Sequence, residues 1–491
     1  MRDRLIRALL FVVVSSTYYA TASGLTSSND GSHYALLRAM VDEGRFRIET
    51  YTHFAEGNDL AIRDGAIYSD RPPGTALLAV PFYIAGGVLP RLIRELPTRH
   101  DEGNPRLAYL VMLPVLAGAA TAAILYSLLR GYDLPPMAAL TAAVAFAFGS
   151  TMWKYGSVLF SHAPSAVLVI GGVALAIHVG RAGQLRPLTG LLLGLALGFS
   201  VVVEYSNALF AGLVLAYVAW SLLWVKEDKP VADAGWGGIA LLVAGMGLPV
   251  AFLLFYNTVN FGGPLTTSYQ YAINYPWAAS FGTTFDVPWR QGLPGMLWYG
   301  VDARGEENQG LFLLMPVMLI GLFGVWAYAK RWGREAVLVL GLFGVYLLLF
   351  ARHHTFSGFT ADGRYLAPFL ALWFVPVGFT LAELHSIKDS AGKAVLILIA
   401  YGLLFLSVRN MLAHIAFSYN YHLDPGLVAR RAATPANWRY ILGNIFVNWQ
   451  NLPLLWFVEG GITVILLAGR ALWHRAANHL NPALPPASGA E

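Results

Sequence analysis

Hydrophobic runs of roughly 16–25 residues recur along the chain, long enough or nearly so for a helix to cross the hydrocarbon of a bilayer. They lie near 5–26, 74–95, 107–130, 136–153, 163–180, 187–203, 207–225, 236–256, 310–329, 336–351, 365–382, 394–415 and 453–470. The polar stretches between them are unequal. Four are long, 27–105, 257–309, 352–364 and 416–452, and the others are short turns. The pattern predicts an all-α polytopic membrane protein.

Charge changes the count. If all thirteen runs crossed with the N-terminus inside, the clusters Arg181/Arg186, Lys226/Lys229, Lys330/Arg331/Arg334 and Lys388/Lys393 would lie outside, against the positive-inside rule. One run must therefore fail to cross. The run 74–95 follows Pro72-Pro73, is interrupted by Pro81, Gly86-Gly87 and Pro90, and ends among Arg91, Arg94, Glu95 and Arg99. It is read as interfacial helices on the outer leaflet. Twelve transmembrane helices remain, both termini are cytoplasmic, and the short outer turn 153–163 keeps only Lys154. All four long polar insertions then fall outside, so any chemistry is expected there. The whole forms one membrane domain over 1–476, followed by a cytoplasmic tail at 477–491. The first run has a basic start but no clear small-x-small cleavage site, and reads as a retained anchor.

Composition agrees and excludes. With 56% hydrophobic and 12% charged residues, the chain is too apolar for a soluble enzyme, where about 25% charged is usual. The net charge of +5 is carried mostly at the ends of apolar runs and reports membrane orientation, not a nucleic-acid partner. The absence of cysteine excludes disulfides, thiolate metal sites and cysteine nucleophiles.

The first outer loop carries the densest polar chemistry, in Ser28-Asn29-Asp30-Gly31-Ser32-His33-Tyr34 and Tyr68-Ser69-Asp70-Arg71-Pro72-Pro73-Gly74. Tyr34, Leu37 and Val41 on one face, with Gly44 as a stop, predict a short amphipathic helix. Asn29 or Asp30 would be its N-cap, which is the plain structural reading of Asp30. Pro72 and Pro73 are equally explained as helix-starting prolines.

An acidic residue just after the first span, a short helix ending in Gly, and a cation-Pro-Pro element opening an interfacial helix resemble the GT-C superfamily of lipid-phosphosugar-dependent glycosyltransferases. The likeness is to the protein mannosyltransferases and the lipid A aminoarabinose transferases. Their Asp-Glu-x-x-Tyr is matched by Asp30-Gly31-Ser32-His33-Tyr34, with Gly31 in place of Glu, and their Lys-Pro-Pro-Leu by Arg71-Pro72-Pro73-Gly74. The glycine-rich 190–205 resembles their fifth helix, with Glu204 where a lysine is frequent, and His162 stands where the second outer turn often has Asp. Gly363-Arg364-Tyr365-Leu366-Ala367-Pro368 resembles their Arg-Tyr-Leu-x-Pro.

The resemblance implies transfer of a sugar from a polyprenyl-phosphate donor on the outer face of a bacterial inner membrane. That reaction needs a base for the acceptor hydroxyl and cations for the departing phosphate. Asp30 is the candidate base, and Arg71 and Arg364 are the candidate phosphate ligands, with lipid-headgroup anchoring as their alternative. His33, Tyr34, His162, Glu204, Tyr205, His353, His354 and Asp362 complete the candidate substrate-binding set. Glu204 would hold the acceptor or pair with an arginine. The histidines could make a metal site with Asp30 or Asp362 but lack diagnostic ligand spacing, so hydrogen bonding is favoured and no metal or other cofactor is assigned. Aromatic residues between Tyr269 and Tyr299 stack on sugar or lipid, or form an interfacial belt. The partners expected are membrane lipids and the polyprenyl-phosphate-linked sugar. With no sizeable soluble domain after the last span, a lipid-linked or other small cell-envelope acceptor is favoured. Two other classes stay open: a secondary transporter or flippase, which would show a repeated half and midplane charges, and a non-catalytic relative, which Gly31 keeps in view.

Overall fold

The computed structural model of the chain describes residues 2–89, 96–224, 235–356, 358, 360, 362–418, 442 and 445–480. Arg91, Arg94, Glu95, Lys226, Lys229, most of the segment 416–452 expected outside, and the tail beyond 480 lie outside the described residues. The chain is a multi-pass helical membrane protein. A helix lies over each of the twelve runs taken to cross: α1 (Arg2–Ala20), α4 (Arg106–Gly131), α5 (Pro136–Gly149), α7 (His162–Ala182), α8 (Pro187–Val203), α9 (Asn207–Trp224), α10 (Trp236–Phe261), α12 (Met318–Arg331), α13 (Gly333–Ala351), α14 (Leu370–Ser386), α15 (Ala391–Ser418) and α16 (Leu452–Leu480). Between them, at one end of the bundle, stand α2 (Ser28–Asp42), α3 (Gly74–Val88), the single-turn α6 (Met152–Tyr155) and α11 (Trp289–Leu297). Two antiparallel hairpins join them there: β1 (Leu60–Arg63) with β2 (Ala66–Ser69), and β3 (Tyr299–Val301) with β4 (Glu307–Gln309).

Burial separates centre from rim. The most apolar windows of α4 and of the 364–386 helix are 83% buried, whereas that of α15 is 11% buried, so the first two form the core and α15 stands at the rim. Apolar surface gains little by moving from lipid to protein, so close backbone approach has to hold such helices together. Helices α8 and α10 show it: a Cβ added at Gly190 or Gly194 would lie 2.1–2.2 Å from the carbonyl oxygen of Gly238 or Leu242. The Gly-x-x-x-Gly spacing in 190–198 is thus a packing seam.

Helix α3 lies across the bundle end. Its first residue, Gly74, abuts Val202 and Val203 at the end of α8, and Gly86 near its other end abuts Arg106 at the start of α4. Both neighbours are loop-side ends of spans, so a helix of about 22 Å joins them without descending into the bundle.

Helix α2 is more deeply covered than its amphipathic pattern predicts, with Ser32, His33, Tyr34, Leu36 and Leu37 all buried. The 3-10 segment Glu49–Ala55 folds onto it. Gly31 makes this contact possible, because a Cβ there would lie 1.8 Å from the Phe54 carbonyl oxygen. Any side chain at position 31, a glutamate included, is excluded by this packing. Gly44 ends the helix with φ +64°, the left-handed conformation glycine adopts freely.

Candidate functional site

A cavity of about 680 Å³ opens at the loop end of the bundle, a size ordinary for a small-molecule or cofactor site. The end of β2, the start of α7, the turn between α8 and α9, the 267–285 segment, the end of α13 and the 364–369 turn all reach it. Arg71, His162, Glu204, Tyr205, His353 and Arg364, separated by up to nearly three hundred residues, meet there.

Asp70, which directly precedes Arg71 but lies outside the matched motif positions, joins them. Its backbone is fixed on both sides: its N–H donates to the Asp59 carbonyl (3.3 Å) and its own carbonyl accepts the Ser268 hydroxyl (2.6 Å). Its carboxylate is buried, and neither oxygen has a hydrogen-bond partner among the described residues. Burial raises its pKa from 3.8 to about 7, with Arg364 opposing the rise and Glu204 adding to it. The Arg71 Nε lies 3.2 Å from Asp70, outside hydrogen-bond alignment, while its Nη2 pairs with the buried Asp59. Asp59 also takes the Ser28 hydroxyl, so the first loop holds Arg71 from behind.

Glu204 follows the last residue of α8. It accepts the Tyr269 and Ser161 hydroxyls, each at 3.2 Å, and burial raises its pKa against the pull of Arg71. The His162 ring stands on the edge of Tyr155, 4.5 Å between centroids, and its Nε2 is buried without a partner among the described residues. His353 accepts the Thr355 N–H through Nδ1, and burial, followed by the nearby Arg364, lowers its pKa to about 3, so it is neutral at physiological pH. The Arg364 guanidinium lies over the rings of Phe160 and Tyr365 at 5.8 and 5.4 Å. Tyr275, Trp277 and Phe281 add aromatic surface to the wall. The cavity therefore brings two guanidinium groups, two carboxyls with raised proton affinity and unprotonated imidazoles against a largely apolar lining.

Five expected site residues do not line it. Asp30 is the third residue of α2, not its cap: Ser27 is the N-cap, and Asp30 closes a capping box. Both its oxygens are occupied by the N–H and hydroxyl groups of Thr26 and Ser27 and by the Gly31 N–H, at 2.8–3.1 Å. His33 faces inward in α2; both ring nitrogens lack partners among the described residues, and burial, then Arg71, lowers its pKa to about 3. Tyr34 donates to Asp101 on the far side of α2. His354 pairs with Asp286 at 2.9 Å and stacks on Trp277. Asp362 is fully buried against Lys154. In each case a nearby polar group or the packing of the loop captures a side chain whose sequence position alone left it available. Among the described residues, no three His, Asp or Glu side chains group as metal ligands.

No family model and no curated protein sequence matches the chain. Solved structures do. The archaeal oligosaccharyltransferase AglB from Archaeoglobus fulgidus, in complex with an inhibitory peptide and a dolichol-phosphate, superposes with a TM-score of 0.52 at 14% identity, covering 89% of this chain and 59% of that one. Its apo form gives 0.51 with the same identity and coverage. ArnT from Cupriavidus metallidurans bound to undecaprenyl phosphate gives 0.48 at 12% identity, over 92% of this chain and 74% of that one. The chain thus spans about 59% of the length of the oligosaccharyltransferase and shares its fold.

Proposed function

We propose that the chain is a membrane glycosyltransferase that moves a sugar from a polyprenyl-phosphate donor to a lipid-linked or other cell-envelope acceptor, at the outer face of a bacterial inner membrane. The observation that carries this reading is the meeting of Asp70, Glu204, Arg71 and Arg364 in one apolar-walled cavity at the loop end of a GT-C-fold bundle. In the reaction, the acceptor oxygen forms a bond to the anomeric carbon while the bond from that carbon to the donor phosphate oxygen breaks. The acceptor proton passes to a carboxylate, and the leaving phosphate keeps the electron pair.

Asp70 is assigned as the base. Among the described residues its oxygens accept no hydrogen bond, and a proton affinity near neutrality is what a general base needs. Asp30, the residue indicated by motif position, is saturated by its capping bonds. Arg364 and Arg71 receive the charge growing on the phosphate, where low dielectric strengthens bidentate guanidinium contacts. Glu204, held by Tyr269 and Ser161, orients the acceptor. An apolar wall suits a lipid-borne donor, and Tyr275 and Trp277 offer stacking faces for the sugar.

The test is transfer of labelled sugar from native polyprenyl-phosphate donors into membrane extract. Asp70→Asn is expected to lose at least a hundredfold in rate, as removal of a general base does. Asp30→Asn is expected to lower the amount of folded protein, with the rate per folded molecule kept. The reverse pattern returns the base to Asp30, and no transfer by the wild type with any native donor rejects the reading.

A further inference from the structure

Lys154 breaks the charge pattern that sets the orientation of the chain, standing alone in a short turn on the side where lysine is sparse. Its Nζ donates to Asp362 Oδ2 at 2.7 Å, and both side chains are 0% exposed. The Tyr155 hydroxyl donates to the same oxygen at 2.7 Å, and the Thr360 hydroxyl donates to Oδ1. His414 Nε2, from α15 at the rim, lies 3.0 Å from both the lysine nitrogen and that carboxylate oxygen. Burial alone would raise the Asp362 carboxyl, but Lys154 and His414 hold it far below the usual range. A buried ion pair seldom contributes net stability, because desolvating both charges costs about as much as their attraction returns. Its place needs another reason.

Asp362 is two residues before Arg364, and the intervening backbone is fixed from independent directions. Gly363 has φ +57°, and its N–H donates to Asn308 Oδ1 at 3.0 Å. Asn308, in β4, donates in turn to the Gly295 carbonyl at 2.8 Å. Across the same turn, Gly358 has φ +66° and no side chain, and a Cβ there would come within 2.6 Å of the Arg364 side chain. The cavity-facing arginine is thus framed by α6, β4 and Gly358, and the buried Lys154–Asp362 pair anchors the backbone two residues before it.

We infer that Lys154, Asp362 and His414 form a positioning network that aims Arg364 at the phosphate of the lipid-linked donor. This role rests on the donor reading above. None of the three lines the cavity, and the covalent route from Asp362 to Arg364 is the backbone through Gly363.

The experiment uses the full chain in nanodiscs, with undecaprenyl phosphate as the probe, and reads binding and melting on the same samples. Arg364→Ala is expected to weaken binding at least tenfold. The double variant Lys154→Met/Asp362→Leu leaves no unpaired buried charge. It is expected to melt within a few degrees of wild type, yet to bind the probe at least fivefold more weakly. Lys154→Arg, which keeps the charge, is expected to recover most of that loss. A purely structural pair would show binding that follows melting, so wild-type binding by the folded double variant overturns the positioning role alone. Absence of binding by the wild type overturns the donor reading itself, and this role with it. Should the double variant fail to fold, His414→Gln decides. About threefold weaker binding at unchanged melting is expected, and unchanged binding overturns the role.

Discussion

Replacing Asp70 by Asn should trade activity for stability, with a pH signature that identifies the cause. In the folded protein, burial lifts the Asp70 carboxyl from 3.8 to about 7. At about 1.4 kcal/mol per pH unit, holding it ionised costs the fold about 4 kcal/mol above pH 7. The sign follows from proton counts. Between pH 3.8 and 7 the folded chain binds this proton more tightly than the unfolded chain does, so wild-type stability falls as pH rises through that window and levels off above it. The Asn side chain has no such dependence, although its buried amide brings its own desolvation cost of roughly 1–3 kcal/mol. The offset between variant and wild type should therefore move by about 4 kcal/mol in favour of Asn between pH 4 and pH 8, whatever the fixed cost of the amide. Melting followed by intrinsic fluorescence in nanodiscs reads it: Asn at or below wild type at pH 4, and above it at pH 8. Sugar transfer by the same samples should be nearly lost. An offset that is the same at both pH values refutes the raised proton affinity, and retained transfer refutes the role of base.

The acidic limb of the transfer rate gives a second reading of the same group. A base must be unprotonated, so the rate should fall about tenfold per pH unit below about 7, and a limb centred near 4 would point to an unperturbed carboxylate. Gly31→Ala should destabilise by at least 1–3 kcal/mol, since the added methyl group meets the Phe54 carbonyl; melting equal to wild type would show that the 49–55 segment can move aside. Orientation is read by labelling single cysteines in this naturally cysteine-free chain. A cysteine at Asp101 should react from outside and one at Ser386 only from the cytoplasm, and the opposite result at either position undoes the count of spans.

Much of the architecture was legible because it is local. Whether a segment of about 20 apolar residues can cross a bilayer depends on its own length and polarity. Seven of the described helices are by themselves long and apolar enough to cross, and the helices over the apolar runs and the glycine seam of α8 belong to this class. So does the capping box of Asp30, whose Ser-x-x-Asp spacing is present at Ser27–Asp30. The motif resemblance pointed instead to chemistry at that residue.

The cavity was only half legible. Arg71, His162, Glu204, Tyr205, His353 and Arg364 could be gathered from sequence because ionisable groups at the same ends of spans have few places to go. Which carboxylate faces the cavity could not be gathered in that way. Asp30 and Asp70 belong to the same loop and have the same chemistry, and their difference arises from long-range contacts. The β1–β2 hairpin brings Asp59 behind Arg71, and Ser268, almost two hundred residues further on, fixes the Asp70 backbone. Asp362 is likewise withdrawn from the cavity by Lys154, 208 residues earlier in the chain. Sequence determined where the membrane is and at which end polar groups collect, because solvation acts on each segment separately. Only the tertiary structure decided which of those groups are satisfied by one another and which are left to act, because a buried charge is defined by its partners and those come from anywhere in the chain.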